Sequence, residues 1–230
     1  EMSASLVGSE MCIRDSNRVT VVGDTRFDRV LQIREEAKDL PLVELFKNNT
    51  MTFVAGSSWQ PDEDLFIEYF NQHPEVKLII APHVIDENHL VEIIRKLKRP
   101  YVRYTRADEK NVRKADCLII DCFGLLSSIY RYGEIAYIGG GFGVGIHNTL
   151  EAAVYGIPVI FGPKYQKFQE AVQLLEAKGG FSVKSYEELK ALLDRMLEDE
   201  SFLRETGTNA GTYVTGNAGA TDKVLGMINF

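Results

Sequence analysis

Residues 135–163, IAYIGGGFGVGIHNTLEAAVYGIPVIFGP, hold two short apolar runs rich in strand-forming residues, separated by a glycine-rich loop and an amphipathic stretch. IAYIGG and PVIFGP read as strands. HNTLEAAVYG spaces its apolar residues three and four apart, as a helix packed on one face does. A strand, a helix and another strand in succession form one βα unit of a parallel sheet.

The same alternation runs outward in both directions. VTVVG, MTFVAG, VKLIIAP, YVRY and CLIID read as further strands, and DEDLFIEYFNQH, DENHLVEIIRKLK, GLLSSIYRYG and YQKFQEAVQLLEAKGG as further helices. The fold class is therefore α/β, a doubly wound Rossmann-like parallel sheet. SYEELKALLDRMLEDESFLRETG adds a charged surface helix or a pair, and GATDKVLGMINF a short amphipathic terminal helix. Residues 17–207 are read as one domain and 208–230 as a helical tail. Residues 1–16, EMSASLVGSEMCIRDS, show neither period, resemble translated sequencing-adapter read-through and are read as a non-native leader.

Composition narrows the function. The 230 residues carry a net charge of -7, which excludes the broad basic footprint of a nucleic-acid binder. Cys12, Cys117 and Cys122 lack metal-ligand spacing and read as reduced thiols. No apolar stretch approaches the roughly 18–20 residues of a membrane-spanning helix.

Ligands of open parallel sheets sit beyond the carboxyl ends of the strands, where three stretches stand out. In AGSSWQPDEDL, the small residues Gly56, Ser57 and Ser58 could bring amides and hydroxyls to an anion; equally, they could only turn the chain, with Asp62 capping the next helix. In the glycine-rich loop, Gly139, Gly140, Gly141, Gly143 and Gly145 lead to a helix starting near Asn148, whose N-terminus could face a phosphate or sugar. The loop lacks the Lys-Ser/Thr of a Walker motif and the acidic partner of a dinucleotide fingerprint. Asn148 and Glu151 also fit a capping box. In IIAPHVIDENHL, His83 could meet a phosphate or carry a proton, or stand in solvent. His73 and His89 receive no role.

Together these stretches resemble the C-terminal donor-binding domain of the 3-deoxy-D-manno-octulosonic acid (Kdo) transferases, lipid A glycosyltransferases of the GT-B fold. The likeness covers nearly all of residues 18–230, through GDTRFDRV, AGSSWQPDED, IIAPHVIDENH, FGLLSSIYRYGEIAYIGGGFG and, most specifically, GIHNTLEAAVYGIPVIFGP. It implies binding of the cytidine nucleotide of CMP-Kdo and transfer of Kdo to a lipid A precursor in lipopolysaccharide biosynthesis. Gly140, Gly141 and Gly143 would shape the loop, His147 and Asn148 approach the donor, and Glu151 hold the ribose hydroxyls. Gly56, Ser57, Ser58 and His83 complete the implied substrate-binding set.

The general base would be a glutamate of an N-terminal acceptor domain absent from this chain, so the piece alone is expected to be soluble and inactive. The intact enzyme would work at the cytoplasmic face of the inner membrane, touching the bilayer, without metal or other cofactor. Two departures stand out. Many relatives have arginine where this chain has His83, and Ser-Thr-His where it has Ser57-Ser58-Trp59. Two other classes stay open: a GT-B glycosyltransferase or epimerase using a UDP-sugar, and a non-catalytic nucleotide-binding α/β module.

Overall fold

The computed structural model describes residues 20–143 and 145–228. The leader read at residues 1–16, with Cys12, lies outside them. Seven parallel strands form the sheet: β1 (Met51–Ser58), β2 (Val76–Pro82), β3 (Tyr101–Arg103), β4 (Cys117–Ile119), β5 (Ile135–Ile138), β6 (Val159–Phe161) and β7 (Gly180–Ser182). Their order across the sheet is β3-β4-β2-β1-β5-β6-β7.

The main helices are α1 (Thr25–Glu35), α2 (Pro41–Lys47), α3 (Gln60–Gln72), α4 (Glu87–Lys96), α5 (Glu109–Val112), α6 (Leu126–Ile129), α7 (Leu150–Ala153), α8 (Gln169–Glu176), α9 (Tyr186–Glu198), α10 (Glu200–Gly216) and α11 (Ala220–Met227). The doubly wound α/β architecture read from the sequence is the one observed. Alternation along the strands feeds two cores. Phe53, Ala55, Leu78, Ile80 and Tyr137 pack on one face beneath Phe66, Phe70, Leu90, Ile93, Leu189 and Leu193 of α3, α4 and α9. Val54, Ile79, Ala136 and Ile138 point the other way, to a core closed by α1, α2, α7, α8 and α10. A sheet buried on both sides explains why its strands read as continuous apolar runs.

Three readings need correction. The described part of VTVVG is not a strand: residues 20–24 are irregular, Val21 is 88 % exposed, and Gly23 takes φ +103° before Asp24 caps α1. Both sides of β1 are already occupied, by β2 and β5, which leaves this run no partner in the middle of the sheet. Two helices in the opening segment, α1 and α2, and the strand β7 were missed. Finally, α10 runs unbroken through residues 207 and 208, because Thr206, Gly207, Ala210, Tyr213 and Val214 all pack inward along it. The tail boundary therefore falls inside a helix of the main body.

The terminal helix is tied back as well. The Asp28 carboxylate in α1 accepts the main-chain amides of Gly219 and Thr221 and the Thr221 hydroxyl, covering the exposed amides at the start of α11.

Candidate functional site

The sheet divides at β1, which pairs with β2 on one side and β5 on the other. The crevice above this division is where doubly wound sheets receive ligands. Three segments close over it. The His83 amide donates to the Ser58 carbonyl at 2.9 Å, the Gly139 amide to the Gly56 carbonyl at 2.9 Å, and the His147 amide to the Gly139 carbonyl at 3.2 Å.

Close packing accounts for several of the small residues. A Cβ on Gly56 would lie 1.9 Å from the hydroxyl of buried Tyr130, and one on Gly139 would lie 2.2 Å from the Ser57 carbonyl oxygen. Gly56 was expected to line a ligand; it is buried, and its missing side chain leaves room for a neighbour. Ser57 holds φ +52° at a bulge in β1, which turns the chain out of the sheet. Ser58 is fully buried and its hydroxyl donates to Glu63 at 2.9 Å, so it does not point at the crevice. Only Ser57 of the pair stays partly open.

The first turn of α3 carries structural carboxylates. Asp62 accepts the Trp59 amide at 3.0 Å, the Gly140 amide at 2.9 Å and the Tyr137 hydroxyl at 2.9 Å, joining β1, β5 and the glycine loop. Burial raises its pKa against these three bonds. Glu63 receives Ser58 on one side and lies 2.9 Å from His89 Nε2 on the other. Burial likewise raises its pKa, although His89 and Ser58 oppose the shift. His89 is thus a partner of this buried acid and not a surface residue of α4.

At the mouth three rings meet. The Trp59 indole stacks on His83 at 4.6 Å, His83 stacks on His147 at 4.4 Å, and Trp59 Nε1 donates to His147 Nε2 at 3.4 Å. Burial, then the neighbouring His83, lowers the pKa of His147. His83 and His147, expected at the site, are therefore in contact, and Trp59 is the member that sequence reading left without a role.

Beyond the loop, Asn148 Oδ1 accepts the Leu150 amide at 3.1 Å while its Nδ2 donates to Glu151 at 3.0 Å. This is not the expected capping box, since Glu151 bonds the Asn148 side chain and not its amide. Burial raises the Glu151 pKa, opposed by Asn148. Gly140 and Gly141 are buried in the loop, whereas Gly143 is exposed and its carbonyl accepts Lys164 Nζ at 2.9 Å. Lys164, from the segment after β6, is the second group missed.

On the β2 side lies an open pocket of about 270 Å³, lined among others by Ser57, Pro82, His83, Ile120 and Phe123. Phe123 is 81 % exposed. Its loop is anchored by Asp121, which accepts from Arg103 Nε at 2.8 Å and from the Thr105 hydroxyl and amide. Among the described residues no group of three His, Cys, Asp or Glu is placed to hold a metal ion, and no helix is long and apolar enough to cross a membrane.

The fold with its crevice is that of the C-terminal domain of a GT-B glycosyltransferase. No protein-family model matches the chain. Individual proteins do, and they bear out the likeness to Kdo transferases. The 3-deoxy-D-manno-octulosonic acid transferase of Aquifex aeolicus is 34 % identical over 150 residues, covering 63 % of this chain and 41 % of that protein. The one from Chlamydia muridarum is 29 % identical over 174 residues, covering 68 % of this chain and 40 % of that protein. The chain thus spans about two fifths of the length of these curated relatives. Among solved structures, the C-terminal CMP-Kdo binding domain of WaaA from Acinetobacter baumannii superposes with a TM-score of 0.64 at 18 % identity, over 82 % of this chain and 97 % of that one.

Proposed function

We propose that this chain is the donor-binding half of a Kdo transferase, taking up CMP-Kdo in the crevice above β1 and β5. The observation that carries the reading is the 34 % identity over 150 residues to the Aquifex aeolicus Kdo transferase. The geometry agrees with it. His147, Asn148 and Glu151 lie at one end of the glycine loop, and the exposed Phe123 ring stands at the pocket on the β2 side as a surface on which a base can stack.

In this reading Glu151 accepts the ribose hydroxyls, for which a carboxylate held by a single amide bond still has free lone pairs. The rim around Gly143 and Lys164 faces the phosphate, where positive charge stabilises the departing nucleotide. The acceptor in this reading is a lipid A precursor, met at the cytoplasmic face of the inner membrane.

Calorimetric titration of the chain with CMP, UMP and AMP, with Glu151→Ala alongside, tests this. Selective CMP binding that disappears in the variant is expected. Preference for UMP would move the chain to the enzymes that use UDP-sugars, and absence of binding to all three would remove the nucleotide reading.

A further inference from the structure

The crevice is short of permanent positive charge. The charged groups on the elements that meet there are mostly acidic and already engaged. Asp62 and Glu63 are buried in hydrogen bonds, Asp121 is paired with Arg103, and Arg103 also reaches Glu87. Asp86 caps α4 through Asn88 and His89, and Glu151 is held by Asn148. Lys164 adds a fixed cation at the Gly143 carbonyl, where no carboxylate among the described residues pairs with it. An anion entering here meets His83, which is exposed and stacks against both Trp59 and His147, themselves in contact with each other.

The stack has a built-in order of protonation. Because His147 Nε2 accepts the indole N–H of Trp59, His147 in its neutral form carries its proton on Nδ1. His83 has no hydrogen bond to its ring nitrogens among the described residues, and a charge on it would lie over the face of an indole, which favours a cation. Two imidazoles 4.4 Å apart repel when both are charged, so the pair takes up its first proton much more readily than its second.

We infer that Trp59, His83 and His147 form a proton-dependent anion seat, in which the nucleotide's phosphate binds the stacked imidazole pair together with one proton. This rests on the nucleotide reading above. Burial, and then the neighbouring His83, hold the His147 pKa down, which agrees with a His147 ring that is neutral before the ligand arrives. No bond of the nucleotide is made or broken; an imidazole nitrogen takes its proton from a solvent hydronium or buffer acid, and the phosphate keeps its charge.

The probe is cytidine 5′-methylphosphate, a diester whose single negative charge does not change near neutral pH, with cytidine as the uncharged control. Affinities for the full chain are measured by calorimetry from pH 6 to pH 8, and His83 and His147 ring signals are followed by NMR. The diester is expected to bind up to about a hundredfold more weakly at pH 8 than at pH 6, the limit for uptake of one whole proton across two pH units. Cytidine should bind equally at both. In His83→Arg the diester's profile should be flat, since guanidinium stays charged.

A flat profile for the unmodified chain overturns the inference while leaving nucleotide binding intact. An equal pH slope for cytidine overturns it too, because the phosphate would not be the group involved. Failure of both ligands to bind at any pH removes the nucleotide reading itself.

Discussion

The carboxylate of Asp62 accepts the main-chain amide of Gly140 at 2.9 Å across 78 positions of sequence. The first turn of α3 and the glycine loop are thereby one rigid piece, and Tyr137 and Trp59 are fastened to the same carboxylate.

Asp62→Ala would leave these donors with no partner in a buried site. Denaturant unfolding should show a loss of about 2–4 kcal/mol, since each stranded polar group costs roughly 1–3 kcal/mol. Tyr137→Phe removes one bond and leaves the others, and should cost about 1 kcal/mol. Equal losses for the two variants would contradict the shared anchor.

A Cβ at Gly141 would lie 2.6 Å from the Cα and amide nitrogen of Gly162, where two backbones meet. Neither side can yield as a flexible side chain would. Gly141→Ala should therefore destabilise by roughly 2–4 kcal/mol, in the range of overpacking and strain together. Gly143→Ala, with nothing nearer than 3.6 Å, should stay within about 1 kcal/mol in the same thermal melt.

Burial raises the pKa of Asp62, Glu63 and Glu151, each against hydrogen bonds that lower it. A carboxyl with a raised folded-state pKa holds its proton more firmly in the native chain than in the unfolded one. Stability then falls as pH rises through the window between those two values, and is regained on acidification. Asp121 has the opposite sign: burial raises its pKa, but the Thr105 and Arg103 bonds outweigh this and lower it. Its contribution is present above the ordinary aspartate range and is lost as pH falls below it. The contribution of Asp62, Glu63 and Glu151 should accordingly weaken as pH rises above the ordinary carboxylate range, and that of Asp121 as pH falls below it, which pH-dependent denaturant unfolding of the single variants would separate. Glu151→Gln should be at least as stable as the unmodified chain at pH 8, with the difference shrinking toward pH 5, and should bind CMP at least tenfold more weakly. A variant that loses stability at pH 8 would make Glu151 a structural residue.

The sheet was legible because strands buried on both faces must be apolar throughout, as Val54, Ala55, Leu78, Ile79 and Ile80 are. The described part of VTVVG, with Val21 exposed, shows the limit of that signal: β-branched residues mark a strand only where a neighbour offers hydrogen bonds. The helix α1 was overlooked although Asp24 caps it and Phe27 and Val30 share its buried face, because five of its 11 residues, Arg26, Asp28, Arg29, Arg34 and Glu35, are charged and thin out the apolar stripe. The glycine loop was visible, and so was His147. What stayed hidden were long-range contacts. Trp59 and His147 are 88 positions apart, and only the parallel register of β1 with β5 brings them to one mouth. Ser58 looked like an anion donor for the same reason, since nothing local shows that its hydroxyl turns inward to Glu63.

Phe123 separates a ligand surface from a structural one. The ring is 81 % exposed beside the pocket that also contains Ser57, Pro82 and His83, so it contributes little to folding. Phe123→Ala should leave the melting temperature nearly unchanged, as exposed substitutions away from caps and networks shift stability by no more than about 0.5 kcal/mol. Stacking of a base on an aromatic ring contributes about 1–3 kcal/mol, so the same variant should bind CMP roughly 5- to 150-fold more weakly. Phe123→Tyr keeps the face of the ring and should restore binding. If Phe123→Ala binds CMP as the unmodified chain does, the base is not seated on this ring, and the nucleotide lies toward the glycine loop alone.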